Sequence, residues 1–196
     1  MPTLYFDLAS PYAYLAVARA CDVLGCAPVL EPILLGALFQ RRGHGSWAHT
    51  GDREHNVAEI ERRARRYGLP PLVWPREWPA NSLAAMRAAT WAKQHGSAAP
   101  FAHAAYGRHF GHGADIADVA VLEQVADSVG LPGGELREAI ARPDLKLALR
   151  EATEAAWQRG VIGVPSLALG DEVFFGDDRL EDAAAVMRRS ERAPKG

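Results

Sequence analysis

The start of the chain carries the hydrophobic pattern of a strand, a helix and a second strand. Thr3–Phe6 is a short β-branched and aromatic run typical of a buried strand, and Pro11–Leu24 repeats its apolar residues at helical spacing. Between them, Ser10 and Pro11 stand where a helix N-cap and a first helical residue are expected. The chain is therefore predicted to pass from a strand directly into a helix, and then into a second strand at Val29–Leu35.

The end of the chain carries the pattern of a β-hairpin followed by a helix. Two short apolar runs flank the turn at Gly170 and Asp171, and Pro165 opens the first run, where it removes no central ladder bond. Asp178 is placed to cap a closing helix over Arg179–Arg189. Strand-helix-strand at the start and strand-strand-helix at the end is the order expected of an α/β, thioredoxin-like fold with a large all-helical insertion.

The middle of the chain is predicted to be helical. Arg53–Tyr67 is clearly amphipathic, and further helices are expected over residues 83–95, 100–110, 118–129, 135–142 and 144–159. We therefore expect a helical insertion domain at residues 41–143. Residues 1–40 and 144–196 would together form a discontinuous thioredoxin-like domain.

One segment, Gly36–Gly51, breaks this regular pattern. It is rich in glycine, cations and histidine and shows neither a helical nor a strand period. Segments of this kind usually lie on the surface and often carry binding residues. We therefore expect a flexible loop at the rim of a site.

Composition and charge favour a small-molecule partner. The chain has 196 residues, 48% of them hydrophobic and 23% charged, which is enough to bury a sizeable core. A net charge of -2 and a pI near 6.4 give no basic bias towards nucleic acid or an anionic membrane. No basic and apolar leader is recognisable at the N-terminus, and no apolar run approaches the roughly 20 residues of a membrane span. We expect a cytoplasmic protein.

The cysteines and histidines do not form a recognisable catalytic or metal motif. Cys21 and Cys26 are neither a Cys-x-x-Cys pair nor at the strand-helix junction. Because Cys21 falls on the apolar face of the first predicted helix, both are expected to be inert thiols in or near the core. The seven histidines lack the spacing of a closed ligand set, so no metal site is predicted.

Ser10 has two possible roles at the strand-helix junction. Serine is a common N-cap, and capping alone would explain it. A helix N-terminus also presents unpaired N–H groups and the positive end of the helix dipole, which stabilise an anion such as a thiolate. The sequence around Ser10 leaves both roles open.

Four motifs, in order and spacing, resemble the 2-hydroxychromene-2-carboxylate isomerases and the related kappa-class glutathione transferases. They are Ser10-Pro11-Tyr12, Asn81–Arg87, Glu151–Ala156 leading to Gly163-Val164-Pro165, and Phe175–Leu180. The resemblance spans nearly the whole chain. It implies a thioredoxin-like domain with a helical insertion, a homodimer, and catalytic use of glutathione.

The resemblance also implies roles for individual residues. It places Ser10 where thiol-disulfide enzymes of the superfamily carry their first cysteine, and Ala13 where they carry the second. Disulfide exchange needs both thiols, so that activity is disfavoured. Ser10, followed by Pro11 and Tyr12, would instead hydrogen-bond the glutathione sulfur and lower its pKa.

Three more contacts to glutathione follow from the same resemblance. Asp177 and Asp178 would receive the α-amino end of the γ-glutamyl group. The backbone of Val164, before a Pro165 expected to be cis, would pair with the cysteinyl peptide. His44 stands where relatives often carry an asparagine that contacts glutathione, so either His44 takes that role or the substrate has changed.

The resemblance leaves the reaction open between two activities. An isomerase would let the thiolate add to the open-chain form of 2-hydroxychromene-2-carboxylate, or of a related intermediate of aromatic hydrocarbon catabolism. A former double bond would rotate, and the thiolate would leave again with glutathione regenerated. A transferase would release the thiolate adduct of an electrophile as its product. A non-enzymatic protein that only binds glutathione or a small aromatic acid is the third alternative.

Overall fold

The computed structural model describes residues 1–43 and 45–192, the last two by their backbone alone. A four-stranded sheet lies at its centre, and its strands in chain order are β1 Thr3–Phe6, β2 Val29–Pro32, β3 Ser166–Leu169 and β4 Glu172–Phe175. They stand in the order β2-β1-β3-β4, with β1 parallel to β2 and antiparallel to β3, and β3 antiparallel to β4. This mixed sheet confirms the predicted α/β, thioredoxin-like class.

Helices pack around the sheet and form most of the chain. In chain order, α1 to α9 are Pro11–Leu24, Leu35–Arg42, Arg53–Arg66, Leu83–Gln94, Ala98–Tyr106, Val119–Ser128, Gly133–Ala139, Pro143–Gln158 and Leu180–Arg192. Short 3₁₀ turns lie at Trp47–His49 and Asp177–Arg179, and a π-turn at Gly107–Gly111. Within residues 1–43 and 45–192, no helix combines the length and apolar character needed to cross a membrane.

The predicted strand-helix junction is confirmed. Ser10 has extended backbone angles, and its hydroxyl oxygen accepts the N–H of Ala13 at 3.2 Å, while Pro11 is the first helical residue. At the other end, Gly25 adopts a left-handed φ of 70° and donates its N–H to the carbonyl of Cys21. Both ends of α1 are therefore set by local signals that the sequence displays.

A large apolar cluster joins the sheet to the helices, and a smaller one of Leu15, Ile60 and Ala64 joins α1 to α3. The large cluster includes fully buried side chains from β1, α1, α5 and β3, such as Phe6, Ala16, Phe101 and Leu167. Burial of this apolar surface is the main force that holds the two ends of the chain together. The division into residues 1–40 with 144–196, and 41–143, stays a prediction.

The second strand is shorter than predicted, and a helix follows where a loop was expected. The strand ends at Pro32. The N–H of the next residue, Ile33, still donates a hydrogen bond to the carbonyl of Phe6. α2 then occupies Leu35–Arg42, with Leu38 fully buried. The prediction of an irregular Gly36–Gly51 was therefore wrong for its first half, because one buried leucine is enough to dock a short helix.

Two other sequence predictions were wrong. The placement of Cys21 and Cys26 in or near the core is contradicted, because both are exposed. α1 turns Val17 and Ala20 towards the core and Cys21 away from it, and Cys26 lies beyond the end of the helix. Asp178 does not cap the closing helix. It belongs to a 3₁₀ turn that has no side-chain cap, and α9 begins only at Leu180.

Candidate active site

Ser10 lies at the wall of a cavity of about 230 Å³, which we call the first cavity. Only 5% of the residue is exposed, and its hydroxyl oxygen already accepts from Ala13. In the described part of the chain, no acceptor lies within hydrogen-bond reach of the Ser10 hydroxyl proton. The hydroxyl is thus able to donate to a group in the cavity, beside the positive end of the α1 dipole.

Four segments form the walls of the first cavity. They are the turn into α1, one side of α2, the region from Ser46 to α3, and the chain before β3 together with the end of β4. The lining residues are Ala9, Ser10, Pro11, Tyr12, Leu35, Phe39, Arg42, Ser46, Trp47, Asn56, Ile162, Gly163, Val164 and Phe175.

The lining of the first cavity also includes backbone groups without partners. The Val164-Pro165 peptide bond is cis, as the resemblance implies. Val164 is 6% exposed, and among the described residues neither its N–H nor its carbonyl takes part in a hydrogen bond. Buried backbone groups are rarely left unpaired, so this edge is suited to a peptide-like ligand.

Close packing explains the glycine beside Val164. A Cβ on Gly163 would lie 2.8 Å from the ring of Phe175, closer than Cβ atoms come to other heavy atoms. The ring of Phe175 is 46% exposed and forms the outer rim of the cavity. Gly163 therefore lets an aromatic rim close over the cavity edge.

Tyr12 connects the first cavity to a charged cluster on α3. Its hydroxyl donates to the side-chain oxygen of Asn56 at 3.0 Å, and its ring packs edge-on against Trp47. The guanidinium carbon of Arg63 lies 5.7 Å from the centre of the Tyr12 ring. Arg63 is therefore one side chain removed from the cavity.

The two adjacent aspartates are in very different surroundings. Asp177 is 1% exposed and accepts from the guanidinium of Arg63 at 2.8 Å and from the hydroxyl of Tyr67 at 2.9 Å. The side chain of Asp178 is 54% exposed, and its carboxylate lies 3.3 Å from the same Arg63 nitrogen. Asp177 is thus committed to the protein, whereas Asp178 keeps a carboxylate face open to solvent.

Burial perturbs the acid-base properties of this cluster. It raises the pKa of Asp177, and the nearby charge of Arg63 acts in the opposite direction. Burial, reinforced by the negative charge of Asp177, raises the pKa of Tyr67 to about 12. Tyr67 therefore remains a proton donor to Asp177 at every physiological pH.

A second cavity of about 400 Å³ adjoins the first. The two share Ala9, Leu35, Phe39 and Ser46 as a common wall. The remaining lining combines apolar residues with a few polar side chains, namely Asp7, Gly36, His49, Pro79, Ala80, Asn81 and Ser82. Mostly apolar walls with a few polar groups are typical of small-molecule sites.

Tryptophan side chains cover the turn between β1 and α1. Trp78 donates its indole N–H to the carbonyl of Ala9 at 3.2 Å. Its ring centre lies 5.3 Å from that of Trp47 and 4.8 Å from that of Trp74. These contacts fix the backbone that presents Ser10.

The described residues contain no cluster of three or more histidine, cysteine, aspartate or glutamate side chains that could hold a metal. The sequence contains His109-x-x-His112, and His109 is fully buried, with its Nδ1 2.8 Å from the carbonyl of Ala114. This histidine is packed into the core.

The structure brings most of the predicted site residues together. The first cavity is lined by Ser10, Pro11, Tyr12 and Val164. Pro165 is the next residue in the sequence after Val164. Asp177 and Asp178 lie beyond its lining, next to Arg63. His44 lies outside the described residues.

Sequence reasoning missed several residues that shape the site. Arg63, Tyr67 and Asn56 lie on or next to α3, where they resemble ordinary polar residues of an amphipathic helix, and no sequence signal marks them. Asp7 did carry a signal, because it interrupts the apolar run at the end of a buried strand.

Comparisons with known proteins agree with this architecture. The chain matches the family described as DSBA-like thioredoxin domain over residues 3–188. A solved structure of a 2-hydroxychromene-2-carboxylate isomerase has a TM-score of 0.88 at 25% identity, covering 97% of this chain and 96% of that one.

Sequence relatives point to the same group. The 2-hydroxychromene-2-carboxylate isomerase of Sphingobium xenophagum is 33% identical over 183 residues, covering 90% of this chain and 92% of the relative. Human glutathione S-transferase kappa 1 is 25% identical over 201 residues, covering 94% of this chain and 89% of the relative. The resemblance in the motifs is therefore confirmed, and the chain belongs to the DSBA-like thioredoxin family, in the group of the 2-hydroxychromene-2-carboxylate isomerases and kappa-class glutathione transferases.

Proposed function

We propose that this protein is a glutathione-dependent isomerase that acts on 2-hydroxychromene-2-carboxylate or a related aromatic-catabolism intermediate. The observation that carries the proposal is that Ser10 and the unpartnered backbone of Val164 line the same cavity. The similarity to a curated isomerase over nine-tenths of the chain supports the choice of reaction. A homodimer and a cytoplasmic location are part of the same proposal.

The groups around the first cavity fit glutathione in kind. The unpaired N–H and carbonyl of Val164 are complementary to the carbonyl and N–H of the cysteinyl residue of glutathione. Ser10 offers a hydrogen-bond donor to the sulfur. The half-exposed carboxylate of Asp178 suits the γ-glutamyl ammonium. Arg42 lines the same cavity and offers a cation to a carboxylate of the tripeptide.

Asp177 would act through Arg63 and not by direct contact. Its carboxylate already receives two protein hydrogen bonds, so it has little capacity for an ammonium group. It fixes the guanidinium beside Asp178 and above Tyr12. Asp178 is therefore the aspartate that we expect to bind the ligand.

The protein would lower the pKa of a thiol that lies at the N-terminus of α1. Glutathione would supply the thiolate, which adds to the conjugated double bond of the ring-opened substrate and gives an enolate. The former double bond then rotates as a single bond, and the enolate re-forms it as the thiolate leaves. The Ser10 hydroxyl would donate a hydrogen bond to the sulfur, and the α1 N-terminus would add its positive potential. Both effects stabilise the anion and lower the thiol pKa from about 8.5. Among the described residues, neither a histidine nor a carboxylate is hydrogen-bonded to Ser10 as a base, so Ser10 would not attack the substrate itself.

The second cavity would take the aromatic substrate. It shares a wall with the first cavity, so a ligand there would lie next to the sulfur position. Phe39, on the shared wall, offers an aromatic face, and His49 and Asn81 offer polar groups at the edge. These features suit a flat aromatic acid that carries a hydroxyl and a carboxylate.

A kappa-class transferase is the alternative function. The similarity to the human kappa enzyme over most of the chain favours it, and the residues around Ser10 would serve both reactions. The two differ in whether glutathione is consumed. A protein that binds glutathione without turnover is a third outcome.

Two spectrophotometric assays with added glutathione distinguish these functions. Loss of the 2-hydroxychromene-2-carboxylate spectrum without glutathione consumption supports the isomerase. Stoichiometric consumption with only a chlorinated nitrobenzene supports the transferase. No turnover in either assay, with glutathione binding detected by calorimetry, supports the binding protein, and no binding would refute the proposal.

The Asp178→Asn variant tests the assigned ammonium contact. Losing one charge-assisted hydrogen bond should weaken glutathione binding by about 1–3 kcal/mol. Asp171→Asn is the matched control, since it removes an exposed charge at the hairpin turn, away from the cavity. Equal affinity in the two variants would contradict the assignment.

A further inference from the structure

The wall of the second cavity contains a buried carboxylate that the proposed reaction does not use. Asp7 directly follows β1, is 1% exposed, and lines the second cavity. Its backbone carbonyl also accepts the hydroxyl of Tyr106, at 2.9 Å. The side chain is therefore held at a fixed place between the sheet and the helices.

The Asp7 carboxylate binds three donors from three different segments. Its Oδ1 accepts the N–H of Ala9 at 3.0 Å, in the turn that leads to Ser10. Its Oδ2 accepts the N–H of Leu35 at 2.9 Å, where α2 begins, and the hydroxyl of Ser82 at 3.1 Å, before α4. One side chain thus ties together three walls of the second cavity.

Two of these donors belong to the partition between the cavities. Ala9 and Leu35 are among the four residues that line both cavities. Each donates its backbone N–H to the Asp7 carboxylate, so the contact does not depend on which side chain stands at either position. The carboxylate therefore sets the position of the shared wall relative to Ser10.

This arrangement requires a carboxylate. Two backbone donors and one hydroxyl converge on two oxygens, and asparagine offers only one acceptor oxygen. Among the described residues, no cation pairs with Asp7, and burial raises its pKa while the three hydrogen bonds lower it. Burying an acid without a cation is costly, so its presence beside the cavities calls for a reason other than stability.

We propose that Asp7 is a positioning residue for the substrate. It holds the turn before Ser10, the start of α2 and the start of α4 in one geometry, so that the second cavity presents an aromatic acid to the sulfur position. This inference rests on the proposed function. Asp7 does not touch the reacting atoms and acts through Ala9, Leu35 and Ser82.

The Asp7→Asn variant should separate positioning from binding. A misplacement of about 1 Å can cost on the order of a hundredfold in rate, so kcat/KM for the aromatic substrate should fall about ten- to a hundredfold. Glutathione affinity should stay within about threefold, because neither Val164 nor Asp178 is among the residues that the Asp7 carboxylate contacts. Asp22→Asn, an exposed acid near the end of α1, is the charge-matched control and should behave as wild type.

The Ser82→Ala variant provides a second measurement. It removes one of the three donors and leaves both backbone contacts, so kcat/KM should fall by a smaller factor than in Asp7→Asn, about two- to tenfold. This variant decides the case if Asp7→Asn does not fold. A kcat/KM equal to wild type would then overturn the inference.

The outcomes separate this inference from the proposed function. Wild-type turnover with an unchanged kcat/KM in a folded Asp7→Asn protein, even one of lower thermal stability, would show a purely structural role and overturn the inference alone. A parallel loss of glutathione affinity would also overturn it. A wild-type protein without glutathione-dependent turnover would refute the proposed function and this inference together.

Discussion

Replacing Arg63 by methionine should destabilise the fold by about 1–3 kcal/mol. Methionine keeps much of the apolar stem but removes the charge that lies 2.8 Å from the carboxylate of Asp177. Removing one partner of a fully buried pair typically costs about 3–5 kcal/mol. The Arg63 side chain is 25% exposed and Tyr67 keeps its hydrogen bond to Asp177, so we expect the smaller loss. At this chain length, a loss of about 2 kcal/mol lowers Tm by about 4–8 °C.

The size of this loss should depend on pH. Burial already raises the native-state pKa of Asp177, and removal of Arg63 raises that pKa further. A protonated Asp177 is uncharged, so the loss of the Arg63 cation then leaves no buried charge without a partner. The destabilisation should therefore be complete at neutral pH, where the carboxylate is ionised, and should shrink as the pH falls through the native-state pKa of Asp177.

Urea unfolding followed by tryptophan fluorescence gives the required free energies. Arg62→Met is the matched control on the same helix, because that side chain is 67% exposed and pairs with Glu59, and it should cost at most about 1 kcal/mol. On an Asp177→Asn background, Arg63→Met should cost less than on the wild type, since no buried charge is left unpaired. A loss equal to that of Arg62→Met, or one that is the same at acidic and neutral pH, would refute the reasoning.

Two further predictions concern the proton donors of the site. Ser10→Ala should retain the fold and most of the glutathione affinity but lose activity, and the pKa of the bound thiol, followed by its ultraviolet thiolate absorbance, should move up towards about 8.5. An unchanged thiolate titration with full turnover would leave Ser10 as a helix cap only. Since the pKa of Tyr67 is raised from 10.0 to about 12, the folded protein keeps this proton longer than the unfolded chain and loses stability as pH rises from 10 through 12. Tyr67→Phe should reduce that alkaline loss in thermal unfolding, and an identical pH profile would contradict the assigned pKa.

The parts of the fold that were predicted correctly carry local signals. A serine followed by proline marks the start of α1, and a glycine turn marks the hairpin that ends at Phe175. These features depend on neighbours in sequence, so a single sequence displays them. α2 was missed because it is short and followed by glycines, and its docking depends on one buried leucine, Leu38, and on a hydrogen bond from Leu35 to a distant carboxylate.

The candidate site was predicted only as far as its motifs reach. Ser10 and Val164 could be placed in one site because the motifs that contain them resemble those of a family whose fold is known. The pairing of Arg63 with Asp177 is tertiary, and Arg63 is one of several arginines on α3 that look alike in the sequence. Which arginine faces Asp177 is decided by how α3 packs, and no local sequence pattern indicates it.

The central position of β1 has a consequence for how the chain matures. Leu4 pairs with Leu30 on one side and with Leu167 on the other, so the strand that leads to Ser10 gains its second neighbour from the far end of the chain. During synthesis, Val164 and the hairpin leave the ribosome long after α1 has formed. Contacts of such long sequence separation form slowly, because a large loop must close first. Under the proposed function, glutathione affinity would therefore be acquired late, and a glutathione resin should retain chains of residues 1–196 and release nascent fragments that end before β3.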